Sequence, residues 1–168
     1  EDAYKKAEWK KKNDDSLMRG TKYHEDIEKK RLAQKTKILE CGNTVHYYSY
    51  NKGLENTEFG KDKIEGITEL RLYNHKYKIA GTTDDPVFYP TKLVDINDWK
   101  SNRVIKLKNA WEKMLHPLNH LDNSNFNHYN MQLSLYGWML EQFGYEVRNL
   151  SITHILFDEA GNPIGKIP

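Results

Sequence analysis

The chain has 168 residues, 38% of them hydrophobic and 30% charged, with a formal net charge of +2. That is the size of one domain with a single core, residues 1–168, and the small net charge excludes a basic nucleic-acid-coating tail while leaving specific binding open. The single cysteine, Cys41, excludes an intrachain disulfide and a four-cysteine iron–sulfur cluster, and no apolar run is long enough for a signal peptide or a membrane span, so a soluble, cytoplasmic protein of a bacterium or an infected host cell is expected.

In chain order, residues 2–12 read as a helix, followed by a polar break at Asn13-Asp14-Asp15. A second helix, capped by Asp15 or Ser16, carries Leu17, Met18, His24, Ile27 and Leu32 and runs to about Glu40. Gly20 on it permits a close backbone approach. Basic residues crowd these helices: Lys5, Lys6, Lys10, Lys11 and Lys12, then Lys29, Lys30 and Arg31. The opening, without an initiator methionine, reads as a fragment of a longer chain. Residues 41–66 are polar and rich in Gly and Asn, with a short strand from Val45 to Tyr50.

Three strands follow at 67–73, 76–83 and 91–100, expected as an antiparallel meander. Residues 106–115 read as a short helix or loop. Residues 127–143 make an amphipathic helix with Met131, Leu135, Trp138 and Met139 apolar and Gly144 as its stop, and Glu146 to Phe157 a final strand. His116, His120 and His128 are too irregularly spaced, with no cysteines beside them, to suggest zinc.

The chemistry concentrates in Gly81 to Lys100, G-T-T-D-D-P-V-F-Y-P-T-K-L-V-D-I-N-D-W-K. Successive strand side chains point to opposite faces, so Asp98 and Lys100 share one face and Trp99 the other. If the strand ending at Asp84 pairs antiparallel with Leu93 to Lys100, Asp84 lands near Asp98. Two carboxylates together need a cation, and oxygen ligands suit Mg²⁺ or Mn²⁺. A lysine beside such an ion can orient water and offset charge on a phosphorus centre, which fits phosphodiester hydrolysis. Lys100, Arg103, Lys106 and Lys108 can track a phosphate backbone. Asp95 has no lysine two residues on, so a structural role is expected for it.

Gly20-Thr-Lys-Tyr-His24, Glu69, Gly81-Thr-Thr-Asp84, Asp98-Trp-Lys100 and Gln132-Leu-Ser-Leu-Tyr136 follow one another in this order. The series resembles the PD-(D/E)XK nuclease superfamily, within it the RecB-like and phage-exonuclease type, over roughly residues 9–157. The resemblance implies an α/β (α+β) fold with a restriction-endonuclease-like α-β-β-β-α-β core, a central mixed sheet flanked by helices. It implies one or two Mg²⁺ or Mn²⁺ ions on His24, Asp84, Asp98 and the Trp99 carbonyl. Asp84, Asp98, Lys100 and Glu69 would be catalytic, and Gln132 and Tyr136, with Arg103, would contact DNA. The implied activity is a DNA exonuclease of replication, recombination or repair, of the kind that phages encode, with an oligomer or a helicase or recombination partner as its setting. Two alternatives stay open: a catalytically silent nucleic-acid-binding domain, and a structure- or site-specific endonuclease on the same core.

Overall fold

The structure, a computed structural model, describes residues 2–50 and 57–167, with side chains from Lys5 onward. Residues 51–56 of the polar stretch lie outside it. The fold is mixed α+β. Helix α1 is Asp2–Gln34 and helix α2 is Asn125–Glu141. The strands are β1 (Thr36–Ile38), β2 (Thr44–Ser49), β3 (Ile64–Thr68), β4 (Leu70–Asn74), β5 (Ile79–Thr83), β6 (Val87–Phe88), β7 (Leu93–Lys100), β8 (Glu146–Phe157) and β9 (Pro163–Ile167). Seven of them form one sheet in the order β1-β2-β3-β6-β7-β8-β9, and β4 and β5 pair separately. No helix among the described residues is long and apolar enough to cross a membrane.

The expected pair of N-terminal helices is one helix of 33 residues, about 50 Å long. Asn13, Asp14 and Asp15 do not break it, because each costs only about 0.7 kcal/mol in a helix and neither Gly nor Pro interrupts the turn. Residues 5–14 are exposed all round, Trp9 at 71% included, so lysines there meet water on every side. The helix ends at Gln34, short of Glu40. Lys35 turns left-handed, φ 57°, while its N–H donates to the Arg31 carbonyl at 2.9 Å, and the chain enters β1.

The three-strand meander is also corrected. The expected strand 67–73 divides at Glu69, whose φ of 53° interrupts β3 and β4. The strand 76–83 begins later, at Ile79, and pairs only with β4; it is the two-residue β6 that pairs with β7. Yet the register is unbroken. Glu65 faces Phe88 and Gly66 faces Val87 on one side of the interruption, and Leu70 faces Thr83 on the other. Across the gap Ile67 N–H donates to the Pro86 carbonyl at 3.1 Å and Glu69 N–H to the Asp84 carbonyl at 3.0 Å. Glu69 therefore stands directly opposite Asp84.

Helix α2 joins the parallel strands β7 and β8. Ser124 caps it by accepting the Asn127 N–H at 3.3 Å, and Gly144 at φ 81° ends it. Its inner face, Leu133, Tyr136, Met139 and Leu140, packs on Val94 and Ile96 of β7 and on Leu70 and Leu72 of β4. Full burial of each of the aliphatic side chains favours folding by about 1.5–3 kcal/mol. On β7 that same face continues to Asp98 and Lys100, so the core itself delivers these two charges to the end of the strand. The opposite face carries Asp95 and Asn97 between Leu93 and Trp99: Asp95 accepts from Arg148 Nε at 2.8 Å and from the Tyr89 hydroxyl at 3.0 Å, which gives Asp95 a structural role.

Candidate functional site

Two strand registers and one helix face assemble the site. Asp84 sits opposite Glu69 on one side, and the β6–β7 register, Val87 facing Asp95 and Phe88 facing Val94, carries Asp84 toward Asp98 and Trp99 on the other. The Asp84 Oδ2 accepts the Trp99 backbone N–H at 2.8 Å. Helix α1 crosses above, brought close by Gly20, where a Cβ would stand 2.5 Å from the Ser101 Oγ. One turn on, His24 faces the acids.

The histidine geometry defines the charge requirement. His24 Nε2 lies 3.2 Å from the Trp99 carbonyl oxygen, which can only accept, so Nε2 carries the hydrogen. Nδ1 then lies 3.5 Å from Asp84 Oδ2 and 3.6 Å from Glu69 Oε1. A bare nitrogen lone pair between two carboxylates is repelled by both. A proton or a metal ion at Nδ1 removes the repulsion. Glu69 foremost, then Asp84 and Asp98, accordingly raise the His24 pKa against the opposing effect of burial. Burial first and Asp98 second push the Asp84 carboxyl up to about 7, against the pull of His24 and the Trp99 amide.

His24, Glu69 and Asp84 each bring one ligand atom within 4.8 Å of the others. They line, with Thr68, Trp99 and their neighbours, a void of about 10 Å³, near the space that one water-sized particle needs. One nitrogen and two carboxylates make a donor set suited to Mn²⁺ or Mg²⁺. This trio differs from the set implied by the sequence. Asp98 stands outside it, Glu69 joins it, and the Trp99 carbonyl is engaged in orienting the His24 ring.

Asp98 instead belongs to the lysine. Lys100 Nζ is 2.5 Å from Asp98 Oδ2, and Asp98 is only 2% exposed. That buried oxygen has no hydrogen bond of good geometry in addition to the ion pair. The ammonium also donates to Gln132 Oε1 at 3.0 Å, and Gln132 Nε2 donates to the Tyr136 hydroxyl at 2.8 Å. Tyr136, 6% exposed, is a core residue lying against Gly81, where a Cβ would meet its ring at 2.5 Å. Gln132 is half-buried and reaches Lys100 directly. Arg103 is exposed on the rim of a groove of about 880 Å³ that runs past His24, Glu69 and Lys100 and also contains Arg71.

One residue near the site, Tyr129, carries no signal in the motifs, and Arg31, counted only among the basic residues of the first helices, has a specific partner. Tyr129 places its ring under Lys100, 4.5 Å from Nζ, and its hydroxyl donates to Asn102 at 2.5 Å. It lies three residues before Gln132, one helical face, and that spacing was the available signal. Arg31, seven residues after His24, binds the buried Asp85 at 2.6 Å. Compared with protein-family models, curated proteins and solved structures, the chain gives no match.

Proposed function

We propose that the protein is a metal-dependent deoxyribonuclease of PD-(D/E)XK type, hydrolysing phosphodiester bonds as an exonuclease. The observation that carries this reading is the His24 nitrogen turned toward Asp84 and Glu69, an arrangement that calls for a cation, with a half-buried lysine beside it. The five motifs in order, and the helix α2 that connects the parallel strands β7 and β8, support the restriction-endonuclease-like core. Arg71 and Arg103 along the groove offer cations to a phosphate backbone, although Glu25, Glu28 and Glu69 line it as well.

His24, Glu69 and Asp84 would hold Mg²⁺ or Mn²⁺, with Asp98 at its border. Such an ion, when bound, lowers the pKa of a coordinated water and polarises a phosphoryl oxygen. The chain's own residues do the rest. Asp98 and Gln132 fix the Lys100 ammonium from two sides, and Tyr129 supports it from below. A positioned ammonium stabilises the negative charge that builds on the phosphorus oxygens as the bond breaks. His24 Nε2–H, anchored on the Trp99 carbonyl, keeps Nδ1 aimed at the acids.

The test is digestion of linear duplex and covalently closed circular DNA with Mg²⁺ or Mn²⁺, with and without EDTA. Linear DNA should be degraded and the circle spared. Lys100→Ala should lower turnover by about 10²–10³ while Mn²⁺ affinity, read by calorimetry, stays near wild type. Full cleavage in EDTA, or wild-type turnover by Lys100→Ala, overturns the reading; nicking of the circle turns it toward an endonuclease.

A further inference from the structure

Helix α1 has a second working flank. Gly20, His24 and Glu28 face the groove, whereas Tyr23, Ile27, Lys30 and Gln34 turn toward another cleft of about 440 Å³ whose far wall is lined by residues of β1 and β9. Four cations converge there from three separate elements: Lys30 and Arg31 of α1, Lys37 of β1 and Lys166 of β9. No residue lining the cleft is acidic. Asp85 lies behind Arg31 and binds it, which leaves three lysines without an acid in the cleft wall. The Trp99 ring forms part of this wall, with Lys166 Nζ 5.9 Å and the Arg31 guanidinium carbon 6.0 Å from its centre.

Clustered ammonium groups repel one another as clustered carboxylates do. Lys37 registers that crowding: burial first, then Arg31 and Lys166, lower its pKa, with Asp85 and Glu40 opposing. An anion entering the cleft would remove the repulsion. Phosphate is the fitting class, because it carries charge and several acceptor oxygens that separate lysines can share.

We propose that this cleft is a phosphate-binding site that takes the backbone of a nucleic-acid strand on the side of Trp99 away from Asp98 and Lys100. That the phosphate belongs to a strand rests on the nuclease reading; the anion site does not. The site holds a phosphate remote from the one being cleaved and works without a metal ion.

The experiment is therefore done in EDTA. Inorganic phosphate and a fluorescent single-stranded oligonucleotide are titrated into the wild type and into a Lys37→Ala/Lys166→Ala variant, with salt varied for the oligonucleotide. Both changes are on the surface, so the melting temperature should hold, and a Lys166→Glu variant serves as a stronger second perturbation. The wild type should bind phosphate saturably and the double variant should not. The dependence of log K on log salt should flatten by about 1.4 for two lysines on a single strand. Loss of phosphate binding with an unchanged oligonucleotide titration keeps the anion site and assigns it to small phosphorylated molecules. Absence of saturable phosphate binding in the wild type, or equal phosphate and oligonucleotide binding by wild type and both variants, overturns the proposal. Cleavage plays no part in these readings, so a failure of the nuclease assignment would leave them interpretable.

Discussion

Asp84 and Asp85 are neighbours in the chain with opposite surroundings. Asp85, 6% exposed, has a permanent partner in Arg31, whose guanidinium also covers the Tyr47 ring at 4.5 Å. Burial pushes the Asp85 carboxyl up, and Arg31 foremost pulls it back. Asp84 has burial and Asp98 against it, Glu69 opposite, and in its favour a titratable histidine and the Trp99 backbone amide, neither a fixed charge. One carboxylate is neutralised by the fold itself. The other is held where a proton or a metal ion has to supply the balancing charge. The difference separates a charge that anchors α1 to the sheet from a charge suited to chemistry.

The largest expected effect tests the anchored side. Asp85→Ala should destabilise the protein by about 3–5 kcal/mol, because it leaves Arg31 buried without its partner. Urea unfolding in EDTA reads it. Asp84→Asn should cost far less or stabilise. Comparable losses for the two would erase the contrast.

A divalent ion should sharpen it. At 100 times its dissociation constant, Mn²⁺ should stabilise the wild type by about 2.7 kcal/mol, seen as a rise in melting temperature. Asp84→Asn should show little of that rise. A full rise in the variant would move the ion elsewhere.

Proton linkage gives the third test. Because the folded Asp84 has its pKa raised from 3.8 to about 7, the folded state binds more protons than the unfolded one across that range. The stability it contributes is complete below about pH 4 and is lost as pH rises through about 7. The raised His24 pKa slopes the same way at higher pH. In EDTA, the wild type should therefore lose ground to Asp84→Asn steadily from pH 4 to 7. A constant difference between the two melting curves over that window would show that Asp84 carries no such strain.

Glu69 should give the smallest effect. Its left-handed φ of 53° is costly for a side chain with a Cβ. Glu69→Gly should then gain up to about 1 kcal/mol in EDTA while losing much of the stabilisation by Mn²⁺. A loss of stability without metal would mean that the glutamate supports the fold.

Several of these features were legible in the chain. The alternation Val94, Ile96, Asp98, Lys100 already carried the core face of β7 into its charged end, since side-chain direction in a strand is a local property. The apolar spacing of α2 and the stop at Gly144 were equally local, and so was the close approach at Gly20, where an added Cβ would displace the Ser101 hydroxyl. The single long α1 was misread because Asn and Asp are weak helix formers without being breakers.

What the tertiary structure decided is pairing. Asp84 stands between Glu69 and Asp98 because two registers, set by separate strand contacts, meet at the bend between β5 and β6 that carries it. Arg31 claims Asp85 across 54 residues of chain, and His24 takes the Trp99 carbonyl across 75. The sequence by itself determined which side chains share a face, because that follows from the repeat of a helix or a strand. It did not determine which acid receives a fixed cation, because that depends on which distant element arrives beside it.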